Sequence, residues 1–156
     1  KIDKYDTWSM DHTLAMIVLP MLKQLQATKH GAPNVDDEDV PEELKSTSAP
    51  AKENEYDTDE NWHKRWDWVL DEMIFAFDCK LDDSWEKEFR SGEHELIWTP
   101  VDKDGNVVPK GEHKHFKMSH GPNDTYKCDY EGMKVVETRI QNGFRLFGKY
   151  YHALWD

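Results

Sequence analysis

The chain has 156 residues, enough for one hydrophobic core, and 32 acidic against 20 basic side chains give it a formal net charge of -12. Because this charge repels nucleic-acid phosphates and anionic membrane surfaces, direct binding to either is not expected. Two cysteines without CxxC spacing indicate neither a disulfide framework nor a thiolate zinc site, and they fit a reducing cytoplasm. The longest apolar run, residues 14–20, is too short to span a membrane.

The first predicted helix begins after the suitable N-caps Ser9 and Asp11 and ends at Gly31. Pro20 lies inside it and predicts a kink. Apolar residues recur at three-and-four spacing, which predicts a packed face made of Leu14, Ile17, Val18, Met21, Leu22 and Leu25.

A loop over residues 31–57 follows, rich in proline, acidic and small polar residues. Residues 36–43 hold six carboxylates in eight positions, which repel one another and favour an extended or mobile segment unless a cation or a basic partner neutralises them. The run lacks the central glycine and alternating ligands of an EF-hand, so a solvated acidic loop is favoured over calcium binding.

The second predicted helix runs from a cap at Thr58 or Asp59 to Leu81. One face carries a strong apolar pattern, made of Trp62, Trp66, Val69, Leu70, Met73 and Phe77. Trp68 and Phe75 point roughly the opposite way, which predicts either a second packed layer or a partner surface, including self-association of the chain.

Residues 93–120 read as a β-hairpin, with an apolar strand at residues 96–98 and a turn at residues 103–106. The third predicted helix runs from Asp129 to Leu154, and Gly143 and Gly148 within it allow close approach of a bulky neighbour such as a tryptophan. Its apolar register is Met133, Val136, Ile140, Phe144, Phe147, Tyr151 and Leu154. The predicted fold is mostly α (α+β): a single domain over residues 1–156 with a three-helix core, an inserted hairpin and a long acidic loop.

Four histidines lie in or beside the hairpin. His113 and His115 are two residues apart, so on a strand they share a face, and His94 and His120 can approach across the hairpin. Such a set can bind zinc, but HxH alone is a weak signal, and exposed histidines on a polar hairpin are the favoured interpretation.

A second metal-site alternative is helical. Histidines and carboxylates that face a bundle interior can build a carboxylate-bridged site, here from Asp11, His12, His63, Asp67 and Glu137. Paired ExxH motifs are missing, so a helix cap and boundary salt bridges with Lys64, Arg65 or Arg139 are the simpler explanation. GxSxG, P-loop and GxGxxG motifs are also missing, and no cofactor is expected.

Four segments carry a resemblance that covers nearly the whole chain: residues 5–15 (YDTWSMDHTLA), 35–41 (VDDEDVP), 65–73 (RWDWVLDEM) and 142–151 (NGFRLFGKYY). With them the chain resembles an uncharacterised family of tailed-bacteriophage proteins. Members are typically longer, so the resemblance implies the C-terminal part of a longer protein, in agreement with a start at Lys1. It also implies a viral origin and action in the host cytoplasm or the virion, and it transfers no reaction, cofactor or catalytic residue.

Two functional hypotheses follow. The leading one is a non-enzymatic protein that binds a host or phage macromolecule, in one version by competing for a basic nucleic-acid-binding site. Its predicted contacts are the acidic loop and the outlying aromatics, namely Asp36, Asp37, Glu38, Asp39, Glu42, Glu43, Trp68 and Phe75. The alternative is a small metal-dependent enzyme, hydrolase-like, that uses the helical histidine and carboxylate set.

Overall fold

A computed structural model describes residues 2–155 apart from residues 4, 6, 110 and 112–114. Its helices and strands are α1 (Met10–Thr28), α2 (Trp62–Leu81), β1 (Arg90–Ser91), β2 (Leu96–Val101), β3 (His115–His120), β4 (Lys127–Cys128) and α3 (Tyr130–Lys149). The predicted class, mostly α (α+β), is confirmed. No helix in the described part of the chain has both the length and the apolar content needed to cross a membrane.

The chain divides into two compact units. The helical unit consists of Lys1–Ser84 with Lys134–Asp156, and the hairpin unit consists of Trp85–Met133. The helical unit therefore contains α1, α2 and most of α3, and the hairpin unit contains all four strands.

Helix α1 packs against α2, and only half of the predicted face takes part in the core: Leu22 is buried, and Val18 and Leu25 are partly buried against the core. Its buried residues are Ala15, Leu19 and Leu22, whereas Ile17 and Met21 are more than half exposed. The prediction was wrong for Leu14, Ile17 and Met21, because α1 carries apolar side chains on two faces and the buried face is the one centred on the small Ala15. Helix α1 also ends at Thr28, three residues before Gly31.

Helix α2 has the predicted core face. Trp66, Val69, Leu70, Met73 and Phe77 are all buried. Trp62 is only half-buried, and its indole N–H donates to a carbonyl oxygen of the acidic loop. The helix begins at Trp62 and not at the predicted cap near residue 59.

Gly143 of α3 lies against the backbone of α2. A Cβ atom at this position would stand 2.3 Å from the Glu72 carbonyl oxygen and 2.6 Å from the Ala76 Cβ. The predicted close approach is therefore present, but the neighbour is helix backbone and not a tryptophan. A Cβ atom at Gly148 would meet no neighbouring atom within 4 Å, so the predicted close approach is absent at this glycine.

The core-facing residues of the last segment also differ from the predicted register. The buried ones are Gly143, Leu146 and Tyr150, while the predicted Phe144 and Phe147 are half-buried and pack edge-on against Phe77 of α2. A short 3-10 helix, Tyr151–Ala153, follows α3, which ends at Lys149.

The acidic loop is folded against the helices. It contains three 3-10 helices, Asp37–Asp39, Glu42–Leu44 and Ser46–Ser48, and buries Val35 and Val40 in the core. Buried Arg65 of α2 forms two hydrogen bonds with Asp59 at the end of the loop, of 2.9 and 2.7 Å, and one with the Leu44 carbonyl oxygen of 3.2 Å. Long-range contacts therefore override the local tendency of this segment to extend.

In the hairpin unit, β2 and β3 form the predicted hairpin. They pair antiparallel from Leu96 opposite His120 to Val101 opposite His115. The predicted turn includes Gly105 at a φ of 86°, in the left-handed region that glycine adopts without strain. Strands β1 and β4 form a second, two-stranded sheet.

Candidate functional site

Much of the acidic loop is neutralised within the chain. The Lys149 ammonium at the end of α3 lies 2.8 Å from an Asp36 carboxylate oxygen, 3.2 Å from one of Glu38 and 2.5 Å from one of Asp39. Arg145, one turn earlier, pairs with the other Asp39 oxygen at 2.7 Å. These five residues are called the Lys149 cluster, and within it α3 supplies the basic partner that the loop's charge requires.

Asp39 is the centre of this cluster. Its side chain is 1% exposed and accepts a 2.6 Å hydrogen bond from the Tyr150 hydroxyl. Burial opposes ionisation of Asp39, but hydrogen bonds from Lys149, Tyr150 and Arg145 outweigh it and lower the carboxyl pKa. Burial and the hydrogen bond to Asp39 raise the pKa of Tyr150 to about 12.

The predicted partner contacts of the loop are only partly accessible. Asp39 is buried, and Asp37 accepts hydrogen bonds from the backbone and side chain of Ser46. Glu42 pairs with Lys45 at 2.6 Å, and Glu43 is exposed. The Asp39 carboxylate is enclosed and hydrogen-bonded within the chain, so in this structure it is not accessible to a partner.

The two outlying aromatics of α2 are also covered in part. Trp68 is half-buried and packs against the core cluster. The guanidinium carbon of Arg139 lies 3.8 Å from the Phe75 ring centroid, and the same guanidinium binds the buried Glu72 carboxylate at 2.7 and 3.0 Å. Of the two predicted explanations, these contacts favour a second packed layer.

The helical metal set does not converge. Asp11 forms an ion pair with Lys80, and Asp67 forms one with Lys29. The other three members, His12, His63 and Glu137, are exposed. Among the described residues, none of the five belongs to a group of three ligand atoms within 4.8 Å of one another. The simpler explanation holds only in part: Asp67 does form an ion pair, but with Lys29, and Asp11 pairs with Lys80 while Ser9 occupies the N-cap position of α1.

Helix α1 exposes a regular apolar stripe on the side away from its buried face. Met10, Leu14, Ile17 and Met21 lie on one face at successive spacings of four, three and four residues, and each is between 47% and 65% exposed. We call these four residues the α1 seam. Their spacing is that of a coiled-coil contact line.

An open groove borders this seam. It encloses about 710 Å³ between α1 and the end of the helical unit. Its walls are mainly apolar and are formed by Val18, Met21, Leu22, Gln24, Leu25, Thr28, Phe147, Tyr151 and Leu154. We call it the C-terminal groove. Since Met21 belongs to both features, seam and groove form one continuous apolar surface.

In the hairpin unit, His94 and His120 do approach as predicted, with ring centroids 6.3 Å apart. Asp124, which was not among the residues predicted for a metal site, joins them. Its Oδ2 atom lies 2.9 Å from His120 Nδ1 and 3.4 Å from His94 Nδ1. Of the other two histidines, His115 is exposed at the start of β3 and His113 lies outside the described residues.

Hydrogen bonds keep Asp124 ionised. The bond with His120 is the largest cause, and it outweighs the opposing effect of desolvation. Backbone N–H groups of Tyr126 and Glu95 add to it, and together they lower the Asp124 pKa to about 2. The cluster therefore contains one fixed carboxylate and two imidazoles.

The fold and these sites define a mostly helical protein with an exposed apolar surface on α1. Comparison with protein-family models, with curated proteins and with solved structures finds no match to this chain.

Proposed function

We propose that this chain is a non-enzymatic binding protein that holds a basic amphipathic helix of a partner protein along the α1 seam and the C-terminal groove. The observation that supports the proposal is the seam itself, four large apolar side chains in line on a helix that already has a separate buried face. Contiguous exposed apolar surface of this kind is typical of interaction sites.

The geometry favours a helix as the occupant. Residues 10–21 of α1 span roughly 16 Å along the helix axis, which is about three turns. Short amphipathic helices dock over a similar length. Side chains at three-and-four spacing leave gaps that receive the side chains of a second helix. The adjoining groove then accepts a larger apolar anchor at one end.

The charge of the chain favours a basic occupant. With a net charge of -12, two copies of the chain repel each other, whereas a cationic helix is attracted. The exposed carboxylate of Glu43 contributes to this attraction, although we place the contact surface on α1 and not on the acidic loop. The resemblance to phage proteins supports a host or phage protein as the partner, in the host cytoplasm or the virion.

A defined probe tests the proposal. A fluorescent model helix of leucine and lysine, titrated with the untagged protein at two salt concentrations, reports binding by anisotropy. Ile17→Asp removes one seam contact; because burying such a side chain contributes about 1.5–3 kcal/mol, we expect affinity to fall by at least roughly tenfold. The substitution adds negative charge, so a purely electrostatic association would become tighter.

Met16→Asp is the matched control. Met16 lies on the same helix and is 53% exposed, but it is off the seam line. The Met16→Asp protein should bind the probe as tightly as the wild type does. Equal affinities of the Ile17→Asp and Met16→Asp proteins would overturn the proposal. So would a wild-type dimer in light scattering that Ile17→Asp dissociates, since the seam would then be occupied by a second copy.

A further inference from the structure

The hairpin unit contains a second candidate site, separate from the surface of the proposed function. His94 precedes β2 by two residues, His120 is the last residue of β3, and Asp124 lies in the turn that follows. From these three positions we propose that His94, His120 and Asp124 form a Zn²⁺ site with three protein ligands and a water molecule in the fourth position.

The donor set is the first argument. Two imidazole nitrogens and one carboxylate oxygen are ligands that suit zinc, whereas calcium and magnesium prefer oxygen alone. Three protein ligands with one open position are a common arrangement in zinc proteins. The three ligand atoms all lie within 4.8 Å of one another.

The distances are the second argument. Zinc–ligand bonds of 2.0–2.2 Å at tetrahedral angles place neighbouring ligand atoms about 3.4 Å apart. The His94 Nδ1 to Asp124 Oδ2 distance of 3.4 Å already has this value, and it is long for a hydrogen bond. The corresponding distance of 2.9 Å at His120 must open by about half an ångström. His120 is 65% exposed, so its ring has room to move.

The surroundings orient these ligands. The Asp124 carboxylate accepts hydrogen bonds from the backbone N–H of Glu95 at 3.2 Å and of Tyr126 at 3.1 Å. The His94 ring stacks on Tyr126 with centroids 3.8 Å apart. Contacts of this kind hold metal ligands in position and support affinity.

The backbone around the site is tied together as well. The Gly121 N–H donates to the Glu95 carbonyl oxygen at 2.7 Å, and the Thr125 N–H donates to that of Glu93 at 3.0 Å. Gly92 adopts a φ of 74°, and a Cβ atom there would stand 2.1 Å from the Thr125 carbonyl oxygen. Only glycine allows the two segments to approach this closely, so the position of His94 relative to Asp124 is set by the backbone and not by side-chain contacts alone.

The test is zinc binding by untagged, chelator-treated protein. Equilibrium dialysis against ZnCl₂ followed by elemental analysis gives the stoichiometry, and Co²⁺ in place of zinc gives a visible absorption spectrum that reports the ligand geometry. We expect one zinc ion per chain and a four-coordinate Co²⁺ spectrum. His120→Gln, His94→Gln and Asp124→Asn should each weaken zinc binding by more than about 100-fold. Substituting a residue that only supports a metal ligand already lowers metal affinity by about 10–100-fold, and these three are the ligands themselves.

Two matched substitutions are the controls. His63→Gln changes an exposed histidine of α2, and His115→Gln changes one at the other end of β3. Both should leave zinc affinity unchanged. His120→Gln alters a mostly exposed side chain, so the circular dichroism spectrum of this variant should match that of the wild type. A match would show that the variant loses zinc without unfolding. Absence of zinc at stoichiometric level, or zinc that is retained by His120→Gln and His94→Gln, would overturn the proposal.

Discussion

Replacing Gly143 with alanine tests how closely α3 approaches α2. The added Cβ atom would lie 2.3 Å from the Glu72 carbonyl oxygen and 2.6 Å from the Ala76 Cβ. Neither atom can rotate away, because one belongs to the backbone and the other is fixed to it. The two helices must therefore move apart, which loosens the packing of neighbouring core residues such as Leu146.

The magnitude follows from two opposing effects. Overpacking a core costs about 1–3 kcal/mol, and a contact with the backbone belongs at the upper end of that range. Alanine is favoured over glycine inside a helix by about 1 kcal/mol. Gly143→Ala should therefore destabilise the chain by about 2 kcal/mol.

Gly148→Ala is the matched control in the same helix. Nothing lies within 4 Å of its added Cβ, and its φ is not in the left-handed region. Only the helix preference remains, so this variant should gain up to about 1 kcal/mol. The two substitutions are chemically identical, yet their unfolding free energies should differ by about 3 kcal/mol.

Urea unfolding followed by tryptophan fluorescence and circular dichroism measures this difference. With a urea dependence of about 1–3 kcal/mol per molar, the two midpoints should be separated by roughly 1–3 M. If both variants shift the midpoint in the same direction by similar amounts, the close contact of α3 with the α2 backbone is refuted.

The remaining predictions concern the Lys149 cluster and Tyr150, which donates a hydrogen bond to Asp39 of the cluster. Asp39→Asn should cost about 2 kcal/mol in urea unfolding, because it weakens hydrogen bonds made to a buried charge. Since the folded pKa of Asp39 is lowered, its contribution is present above the unfolded carboxyl pKa of about 3.9 and is lost as the pH falls through the folded value. This acid-induced loss should be smaller in Asp39→Asn. Tyr150→Phe should cost about 1–2 kcal/mol at neutral pH. Because the folded pKa of Tyr150 is raised to about 12, its contribution falls as the pH rises from about 10 through 12, so thermal melts over this range should show a larger decline in the wild type than in this variant. Lys149→Met should leave carboxylates unneutralised and make the melting temperature rise with added Ca²⁺, whereas the wild type, whose ammonium fills that position, should respond little.

Sequence periodicity predicted α2 well and α1 poorly, for a physical reason. On α2 the large apolar residues are concentrated on one face, so the pattern identifies the core. On α1 both faces are apolar, and the choice between them depends on the shape of α2, which the local pattern does not contain. The face with Ala15 packs, and the face with Ile17 is left exposed.

The Lys149 cluster and its hydrogen bond from Tyr150 could not be predicted from local sequence patterns, because the residues involved are distant in the sequence. The Lys149 hydrogen bond to Glu38 and the Tyr150 hydrogen bond to Asp39 each join residues 111 positions apart. The charge of residues 36–43 predicted an extended segment unless a cation neutralised it. Only the tertiary structure shows that this cation comes from the chain itself.

The hairpin shows the opposite case, in which local pattern was enough for part of a site. Antiparallel pairing of β2 with β3 brings His94 close to His120, and this could be read from the sequence. The part played by Asp124 could not be predicted from the sequence, because a carboxylate in a turn most often serves only to form that turn. Its orientation toward both imidazoles depends on backbone bonds to Glu95 and Tyr126 that no spacing rule predicts.

Because Lys149 and Arg145 neutralise part of the acidic loop, the negative charge of the chain contributes to the proposed partner binding mainly at long range. Carboxylates such as Asp39, already held by Lys149 and Arg145, give up little further energy to a partner, because a new cation would have to displace an existing one. The remaining net charge acts over longer distances, where it raises the rate of encounter with a basic protein and weakens with added salt. In the proposed complex, affinity would then come mainly from apolar contact, which the α1 seam exposes. Salt should therefore change mainly the association rate of a partner, while substitutions in the seam should change mainly its dissociation rate.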